Sequence, residues 1–182
     1  MPESPLHPRH DESGPAPHLS DFALIPRHSG IWEGRWVVAD ASGNVVDRFV
    51  GTLRSEIVGN EWQNELEQRH SSGKIEHQRF VGRPIAPRTL VLESLTSAMS
   101  EFDLVVREVG QLLVVELSEK RTGALRGVEF VTLASPDERI RTMQSFRADG
   151  SFQGTLTIVE RRAASTSVGG PGVQPSPTDA PG

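Results

Sequence analysis

Cysteine is absent from all 182 residues, which excludes disulfide bonds, thiolate metal ligands and cysteine nucleophiles. The chain also has no run of about 18 apolar residues, the length that a membrane-spanning helix needs. Its polar, proline-rich start lacks the apolar segment of a secretory signal. These absences predict a cytoplasmic protein with no membrane partner.

A surplus of positive charge is missing as well. The 19 lysines and arginines face 24 aspartates and glutamates, which gives a formal net charge of -5. Charges of both signs are interspersed, so no basic stripe is present of the kind that contacts a nucleic acid backbone. We therefore expect no nucleic acid partner.

Motifs for nucleophilic or phosphoryl-transfer chemistry are also absent. Neither G-x-S-x-G nor G-x-x-x-x-G-K-[ST] occurs, and the serines fall in turns and tails. Carboxylates such as Glu61, Glu65 and Glu67 share one face of a strand, which is typical of a solvated surface. Hydrolytic and phosphoryl-transfer activities are therefore not expected.

Composition divides the chain into one domain between two tails. Residues 1–20 and 163–182 are rich in proline, glycine and small polar residues, and too poor in apolar residues to form a core. We predict that both are disordered and that 21–162 form the folded domain. Within that domain, Phe22, Leu24 and Ile25 suit a short helix or lid (21–26) across one end of the fold.

The domain consists of short alternating segments separated by turn residues, which is typical of an all-β barrel or sandwich. Turns such as Ser42-Gly43, Ser72-Gly73 and Asp149-Gly150 make every connection short, so neighbouring strands should pair antiparallel. We predict an antiparallel meander closed into an eight- to ten-stranded lipocalin-like barrel. The predicted strands are 31–39, 45–58, 61–70, 75–82, 89–95, 102–109, 111–119, 127–134, 139–147 and 151–162.

Alternation along the strands predicts which side chains point into the barrel. In 61–70 one face carries the charged residues and must meet water, so the other face points inward. A three-residue loop at 148–150 would pair Phe146 with Phe152 and Gln144 with Gly154, in agreement with the alternation of both strands. The predicted inward residues are Trp32, Gly34, Trp36 and Val38; Phe49, Gly51 and Leu53; Trp62, Asn64, Leu66, Gln68 and His70; Leu90, Leu92, Phe102, Leu104, Val106, Leu113, Val115 and Leu117; Ile140, Thr142, Gln144 and Phe146; and Phe152, Gly154, Leu156 and Ile158.

The start of the first strand, Gly30-Ile31-Trp32, resembles the G-x-W signature of the calycin superfamily. That superfamily includes lipocalins, fatty-acid-binding proteins and lipocalin-like domains of unknown function. The resemblance implies a closed barrel in which an arginine near the end of the last strand packs over the signature tryptophan. Arg162 has the inward parity for this contact with Trp32, so we expect these two residues at the closure of the barrel.

The predicted interior is mostly apolar, with a few uncharged polar groups. A barrel of this size can hold one small ligand, oriented by a handful of hydrogen-bonding groups. The alternative is a filled core in which the amides satisfy one another or bind buried water. The candidate ligand-binding residues are Trp36, Trp62, Asn64, Gln68, Thr142 and Gln144.

The direction of His77 and Arg79 depends on the turn that precedes them. A two-residue turn points both inward, where His77 could transfer a proton and Arg79 could anchor a carboxylate or enolate. A three-residue turn points Gln78 and Phe80 inward instead. No third ligand accompanies His70 and His77, so no metal site is expected. The chain also departs from the haem-binding nitrobindin-like branch, because no histidine follows His77 to supply its axial ligand, and we expect no cofactor.

Two classes of function fit these features. The first is binding of a small lipophilic molecule in the barrel. The alternative is a non-hydrolytic cyclase or isomerase that holds a lipophilic, polyketide-like intermediate in the same cavity, where orientation alone lowers a barrier. A filled barrel that binds a protein partner has no specific residue in its favour. A homodimer is compatible with the sequence, although no residue specifies one.

Overall fold

Ten strands account for most of the folded chain. A computed structural model describes residues 16–164. The strands are β1 (Gly30–Asp40), β2 (Val45–Val58), β3 (Glu61–His70), β4 (Ile75–Ala86), β5 (Thr89–Ser94), β6 (Phe102–Val109), β7 (Leu112–Glu119), β8 (Leu125–Ser135), β9 (Glu138–Phe146) and β10 (Phe152–Arg162). The helical elements of the described residues are α1 (Ile25–His28) and two 3-10 helices, Leu19–Asp21 and Ser97–Met99. In that part of the chain no helix has the length and apolar character needed to cross a membrane.

Each strand pairs antiparallel with its neighbours in sequence, and β1 also pairs with β10. The last pairing runs from Trp32 opposite Arg162 to Asp40 opposite Gly154. The sheet therefore closes on itself, which leaves no free edge for a foreign strand. The predicted all-β meander, closed into a lipocalin-like barrel, is confirmed with ten strands.

The alternation read from the sequence holds for most of the wall. Trp32 and Trp36 are 0% and 4% exposed, and the predicted inward residues of β3 from Trp62 to Gln68 are buried. Charged residues on the opposite face of β3 form ion pairs with β4, such as Glu65 with Arg79 at 3.0 Å. The interior faces of these strands are therefore as predicted.

The predicted inward face of β9 is wrong. Phe146 does lie opposite Phe152, but Gln153 is an extra residue on β10, so that Gly154 lies opposite Ser145 instead of Gln144. A bulge of this kind shifts the register by one residue, and in a strand a shift of one exchanges the two faces. The side chains of β9 that line the interior are Arg139, Arg141 and Met143.

Residues 19–28 cover one end of the barrel and are called the plug below. Leu19, Phe22, Leu24 and Ile25 are buried in one cluster with Trp62, Leu90, Val106, Leu113 and Val131. The Glu108 carboxylate, near the end of β6, accepts hydrogen bonds from the backbone N–H groups of Ala23, Leu24 and Ile25 at 3.0, 2.6 and 3.1 Å. Apolar burial and a buried carboxylate thus hold the plug in place.

Packing of the plug begins at Leu19, just before the first residue of the predicted domain, 21–162. The Leu19 N–H donates to Asn60 Oδ1, in the turn between β2 and β3, at 2.8 Å. The predicted tails, 1–20 and 163–182, lie outside the described residues except for 16–20 and 163–164. Leu19 and Ser20 belong to the 3-10 helix Leu19–Asp21, so the predicted disorder is wrong for these two residues. For the residues outside 16–164 it stays a prediction.

Candidate functional site

The barrel encloses a cavity of about 230 Å³. Its walls are mainly apolar and come from most of the strands, and Met99 adds to them from the 3-10 helix between β5 and β6. The apolar residues in the wall are Trp36, Leu53, Trp62, Leu66, Phe80, Leu92, Met99, Leu104, Val106, Leu113, Val115, Leu117, Val131, Met143 and Leu156. Such a wall suits an apolar molecule, since burying apolar area is the main favourable term in binding.

Four of the six predicted ligand-binding residues line this cavity, namely Trp36, Trp62, Asn64 and Gln68. Asn64 Oδ1 accepts a hydrogen bond from the Ser55 hydroxyl at 2.8 Å, and Gln68 Oε1 accepts from Gln78 Nε2 at 3.4 Å. Each amide oxygen thus accepts a hydrogen bond from a side chain on a neighbouring strand, and Asn64 and Gln68 do not bond to each other. The two indole N–H groups have no hydrogen-bond partner among residues 16–164.

The other two, Thr142 and Gln144, are on the outside of the barrel and are exposed. Their predicted inward direction is wrong, because the bulge at Gln153 exchanges the faces of β9. Ile140, which led the alternation to this assignment, is 42% exposed. An apolar residue at the surface is ordinary, so alternation alone is a weak guide for this strand.

His77 and Arg79 also point away from the cavity, with side chains 67% and 61% exposed. The turn is the three-residue alternative, because the His70 N–H donates to the Lys74 carbonyl at 2.9 Å and His77 lies opposite Glu67. The inward alternative, with His77 as a proton-transfer group and Arg79 as an anchor, is therefore wrong. Gln78 and Phe80 line the cavity instead.

Buried charges that sequence reasoning missed lie in the cavity wall. Arg139 Nε donates to the Glu160 carboxylate across β9 and β10, and Arg141 Nε donates to Glu129 at 2.7 Å. Arg141 Nη1 lies 3.6 Å from the second oxygen of Glu160. The two positive and two negative side chains balance one another in a region where an isolated charge would be very costly.

Burial and the neighbouring charges shift the pKa values of both arginines, but both side chains stay protonated. Burial lowers the pKa of Arg139 to about 10, against the opposing effect of Glu160. Burial also acts to lower the pKa of Arg141, but the carboxylates of Glu129 and Glu160 outweigh it and raise this pKa overall. Both guanidinium groups therefore stay charged at neutral pH and offer fixed N–H donors.

One signal in the sequence points to this cluster. The alternation of β10 places Glu160 on the same face as Ile158, and both are 0% exposed. A carboxylate on an inward face needs a cation nearby. Arg139 is the residue opposite Glu160, but this pairing follows only once the bulge is counted.

The plug contributes His28 to the cavity wall. Its side chain is 1% exposed, and neither ring nitrogen has a hydrogen-bond partner among the described residues. Its carbonyl oxygen accepts a hydrogen bond from Trp32 Nε1 at 2.8 Å, which fixes the end of α1 to β1. Burial, followed by the charges of Arg139 and Arg141, lowers the pKa of His28 to about 3. The imidazole is therefore neutral at physiological pH.

Trp32 is the point where the barrel closes. The guanidinium groups of Arg162 and Arg139 both lie over its ring, each 4.3 Å from the ring centroid. Arg162 also donates hydrogen bonds to the carbonyl oxygens of Ser29 and Arg27. One arginine thus ties the last strand, the first strand and the plug together.

The site is thus an apolar cavity with ionisable groups concentrated near β9, β10 and the plug. Its ionisable groups are a neutral imidazole, two charged guanidinium groups and the Glu129 carboxylate, while apolar side chains and a few amides form the rest of the wall. Residues 16–164 contain no group of three or more His, Asp or Glu side chains placed to hold a metal ion. The arrangement can orient a mainly apolar molecule by one polar end.

Comparison with known proteins relates the chain to several solved structures. An S-type phycobiliprotein lyase, CPES from Guillardia theta, is similar with a TM-score of 0.51 and 10% identity, over 79% of this chain and 92% of that one. Rv2717c from M. tuberculosis has a TM-score of 0.58 and 18% identity, over 82% and 99%. A protein of unknown function from the DUF3598 family of Nostoc punctiforme has a TM-score of 0.53 and 15% identity, over 76% of this chain and 49% of that one.

No protein-family model and no curated protein matches the chain. At identities of 10 to 18% the likeness concerns the fold. The similar structures are barrels of the lipocalin-like kind.

Proposed function

We propose that the protein binds a small, mainly apolar molecule inside its barrel. The observation that carries the proposal is the cavity of about 230 Å³ with mainly apolar walls. Protein cores are normally packed with few voids larger than a water molecule, so an apolar space of this size in the barrel favours a binding role. Trp36 and Trp62 supply contact area, while Asn64 and Gln68 supply polar contacts.

The volume limits the ligand. Typical sites for drug-sized ligands measure roughly 300–1,000 Å³, whereas an apolar cavity of about 150 Å³ takes up benzene. A cavity of about 230 Å³ lies between these values. The proposed ligand therefore has the size of one or two fused rings, or of a short branched chain.

The proposal includes membership of the calycin superfamily. The G-x-W signature at Gly30-Ile31-Trp32 and the position of Arg162 over the Trp32 ring support it. The fold of the similar structures agrees with it.

Quenching of tryptophan fluorescence tests binding. The compact apolar quencher 1-nitronaphthalene should quench the emission of the protein saturably, because Trp36 and Trp62 line the cavity. Val115→Phe adds bulk to the wall and should weaken this quenching, whereas Val114→Phe, its neighbour on the opposite face of β7, should leave it unchanged. The proposal would be wrong if 1-nitronaphthalene did not quench the emission, or if it quenched Val115→Phe and Val114→Phe to the same extent.

A second candidate is catalysis in the same cavity, by a cyclase or isomerase that uses no hydrolytic step. His28 favours it, because a neutral imidazole in the cavity wall is a group that can donate or accept a proton. Native mass spectrometry of freshly purified protein should identify a co-purified small molecule. That molecule, returned to the protein, would be converted to an isomer by an enzyme and recovered unchanged from a binding protein.

A further inference from the structure

Positive charge surrounds His28 from three elements. Arg27 lies on the same helix, Arg139 and Arg141 come from β9, and Arg162 comes from β10. All four act to keep the imidazole neutral, in addition to burial.

The carboxylates of this region are already engaged. Glu160 binds Arg139, and Glu129 binds Arg141. Glu108 of β6 accepts the backbone N–H groups at the start of α1 and lies 3.5 Å from Arg88. No carboxylate of this region is therefore left to pair with His28. A ligand group placed beside it should be a hydrogen-bond acceptor, and preferably an anion.

The hydrogen-bonding capacity of the site agrees with this conclusion. Arg139 Nη2 and both nitrogens of His28 are buried and without a hydrogen-bond partner in residues 16–164. Arg141 Nη1 and Glu160 Oε1 also lack one, but they lie 3.6 Å apart and form an ion pair with each other. A buried polar group that lacks a partner costs roughly 1–3 kcal/mol. A ligand oxygen that accepts from the guanidinium and the imidazole removes this cost, and with a protonated imidazole both ring nitrogens can be donors.

We propose that the cavity selects compact carboxylates and that His28 takes up one proton as the carboxylate binds. This inference rests on the proposed function. A carboxylate anion and one proton from solvent enter together, and His28 becomes an imidazolium paired with the ligand. No covalent bond of the ligand changes, and the net charge of the cavity stays as it is in the free protein. The two buried ion pairs are thereby left intact.

The proposal predicts a pH dependence with a definite sign. In the free protein the pKa of His28 is about 3, so at neutral pH the site carries no imidazole proton. A bound anion raises that pKa, so binding takes up a proton at any pH between the free and the bound values. Above the pKa of the free acid, affinity should fall about tenfold for each unit rise in pH while one proton is taken up.

Calorimetry on the full-length chain tests this directly. We would titrate 2-naphthoate at about pH 6.5 in two buffers of different ionisation enthalpy, with the uncharged isostere 2-naphthamide as comparison. The expected result is tighter binding of 2-naphthoate, with about one proton taken up. For 2-naphthamide no proton uptake is expected. These measurements need no variant, so they do not depend on how a substitution folds.

Matched histidine variants then locate the proton. His28→Gln should abolish proton uptake and weaken 2-naphthoate binding at least tenfold, and by a larger factor than it weakens 2-naphthamide binding. His77→Gln, the same change at an exposed histidine, should leave both unchanged.

The outcomes distinguish a failure of the carboxylate inference from a failure of the proposed function. Binding of 2-naphthamide alone, or binding of 2-naphthoate without proton uptake, overturns the carboxylate inference but supports the proposed function. Proton uptake that persists in His28→Gln also overturns the inference. Failure of both probes to bind removes the proposed function itself.

Discussion

Arg139 and Glu160 lie directly opposite one another on β9 and β10 and form an ion pair whose side chains are 2% and 0% exposed. Neither charge is hydrated, so each depends on the other. The same guanidinium lies 4.3 Å from the centroid of the Trp32 ring. The pair therefore links the last two strands to the point where the barrel closes.

Removing one partner of this pair should be costly. Glu160→Gln leaves the Arg139 guanidinium buried without its counter-charge, and we expect the free energy of unfolding to fall by roughly 3–5 kcal/mol. The exposed pair Arg161–Glu138, at 2.9 Å between the same two strands, is the control. Glu138→Gln should cost about 1 kcal/mol or less. Urea unfolding measures both, and equal losses would contradict the interpretation.

A methyl group at Gly51 should disturb the cavity wall. A Cβ atom there would lie 2.5 Å from Trp36 Nε1, so the indole has to move in Gly51→Ala. We expect a loss of about 1–3 kcal/mol in unfolding free energy. Displacement of Trp36 should also weaken quenching by 1-nitronaphthalene.

Gly43→Ala is the control for this experiment. Gly43 has φ of +85° in an exposed turn, where a Cβ meets no described atom within 4 Å. Its substitution costs about 1–2 kcal/mol for a backbone reason, so stability falls while the cavity is untouched. Quenching that drops equally in both variants would show that it reports stability and not the position of Trp36.

Strands β3 and β9 show how far the sequence determines the site. In β3 the charged residues all share one face, so burial of Trp62, Asn64 and Gln68 followed from alternation. In β9 the two faces compete, because Ile140 on one face is opposed by Arg139 and Arg141 on the other. Alternation predicted that the apolar face of β9 points inward. The bulge at Gln153 of β10 shifts the pairing by one residue, so the other face of β9 lines the cavity.

Alternation could not predict that His28 is buried in the cavity wall, for a different reason. It lies before the first strand, and its burial depends on how α1 docks on the barrel. That docking uses Glu108, which is far away in sequence. Fold class, strand order and most inward faces are encoded locally, whereas the ionisable part of the site arises from contacts between distant segments.

The plug should depend on the Glu108 carboxylate. Glu108→Gln exchanges a charged acceptor of three backbone N–H groups for a neutral amide, and we expect stability to fall by about 1–3 kcal/mol. Hydrogen exchange of the amides at 23–25 should accelerate more than exchange within β1. The same change at the exposed Glu56 should alter neither quantity. Unchanged protection at 23–25 would show that apolar packing alone holds the plug.

His28 should make the protein less stable in mild acid. Its pKa is about 3 in the folded state and near 6.5 when exposed, so between these values the unfolded chain binds one more proton than the folded one. Above about pH 6.5 the imidazole is neutral in both states, so His28 does not lower the free energy of unfolding. As the pH falls from 6.5 toward 3, this free energy decreases progressively. In this window the loss is about 1.4 kcal/mol for each pH unit.

A variant without the imidazole isolates this contribution. His28→Gln removes the titrating group, and every other ionisable residue contributes to both proteins alike. The difference in unfolding free energy between the native protein and His28→Gln should therefore shrink as the pH is lowered from 7 to 5, by about 1.4 kcal/mol per unit below pH 6.5. Parallel stability curves for the native protein and His28→Gln would mean that His28 is solvated and titrates normally, and the argument for a neutral imidazole in the cavity would then fail.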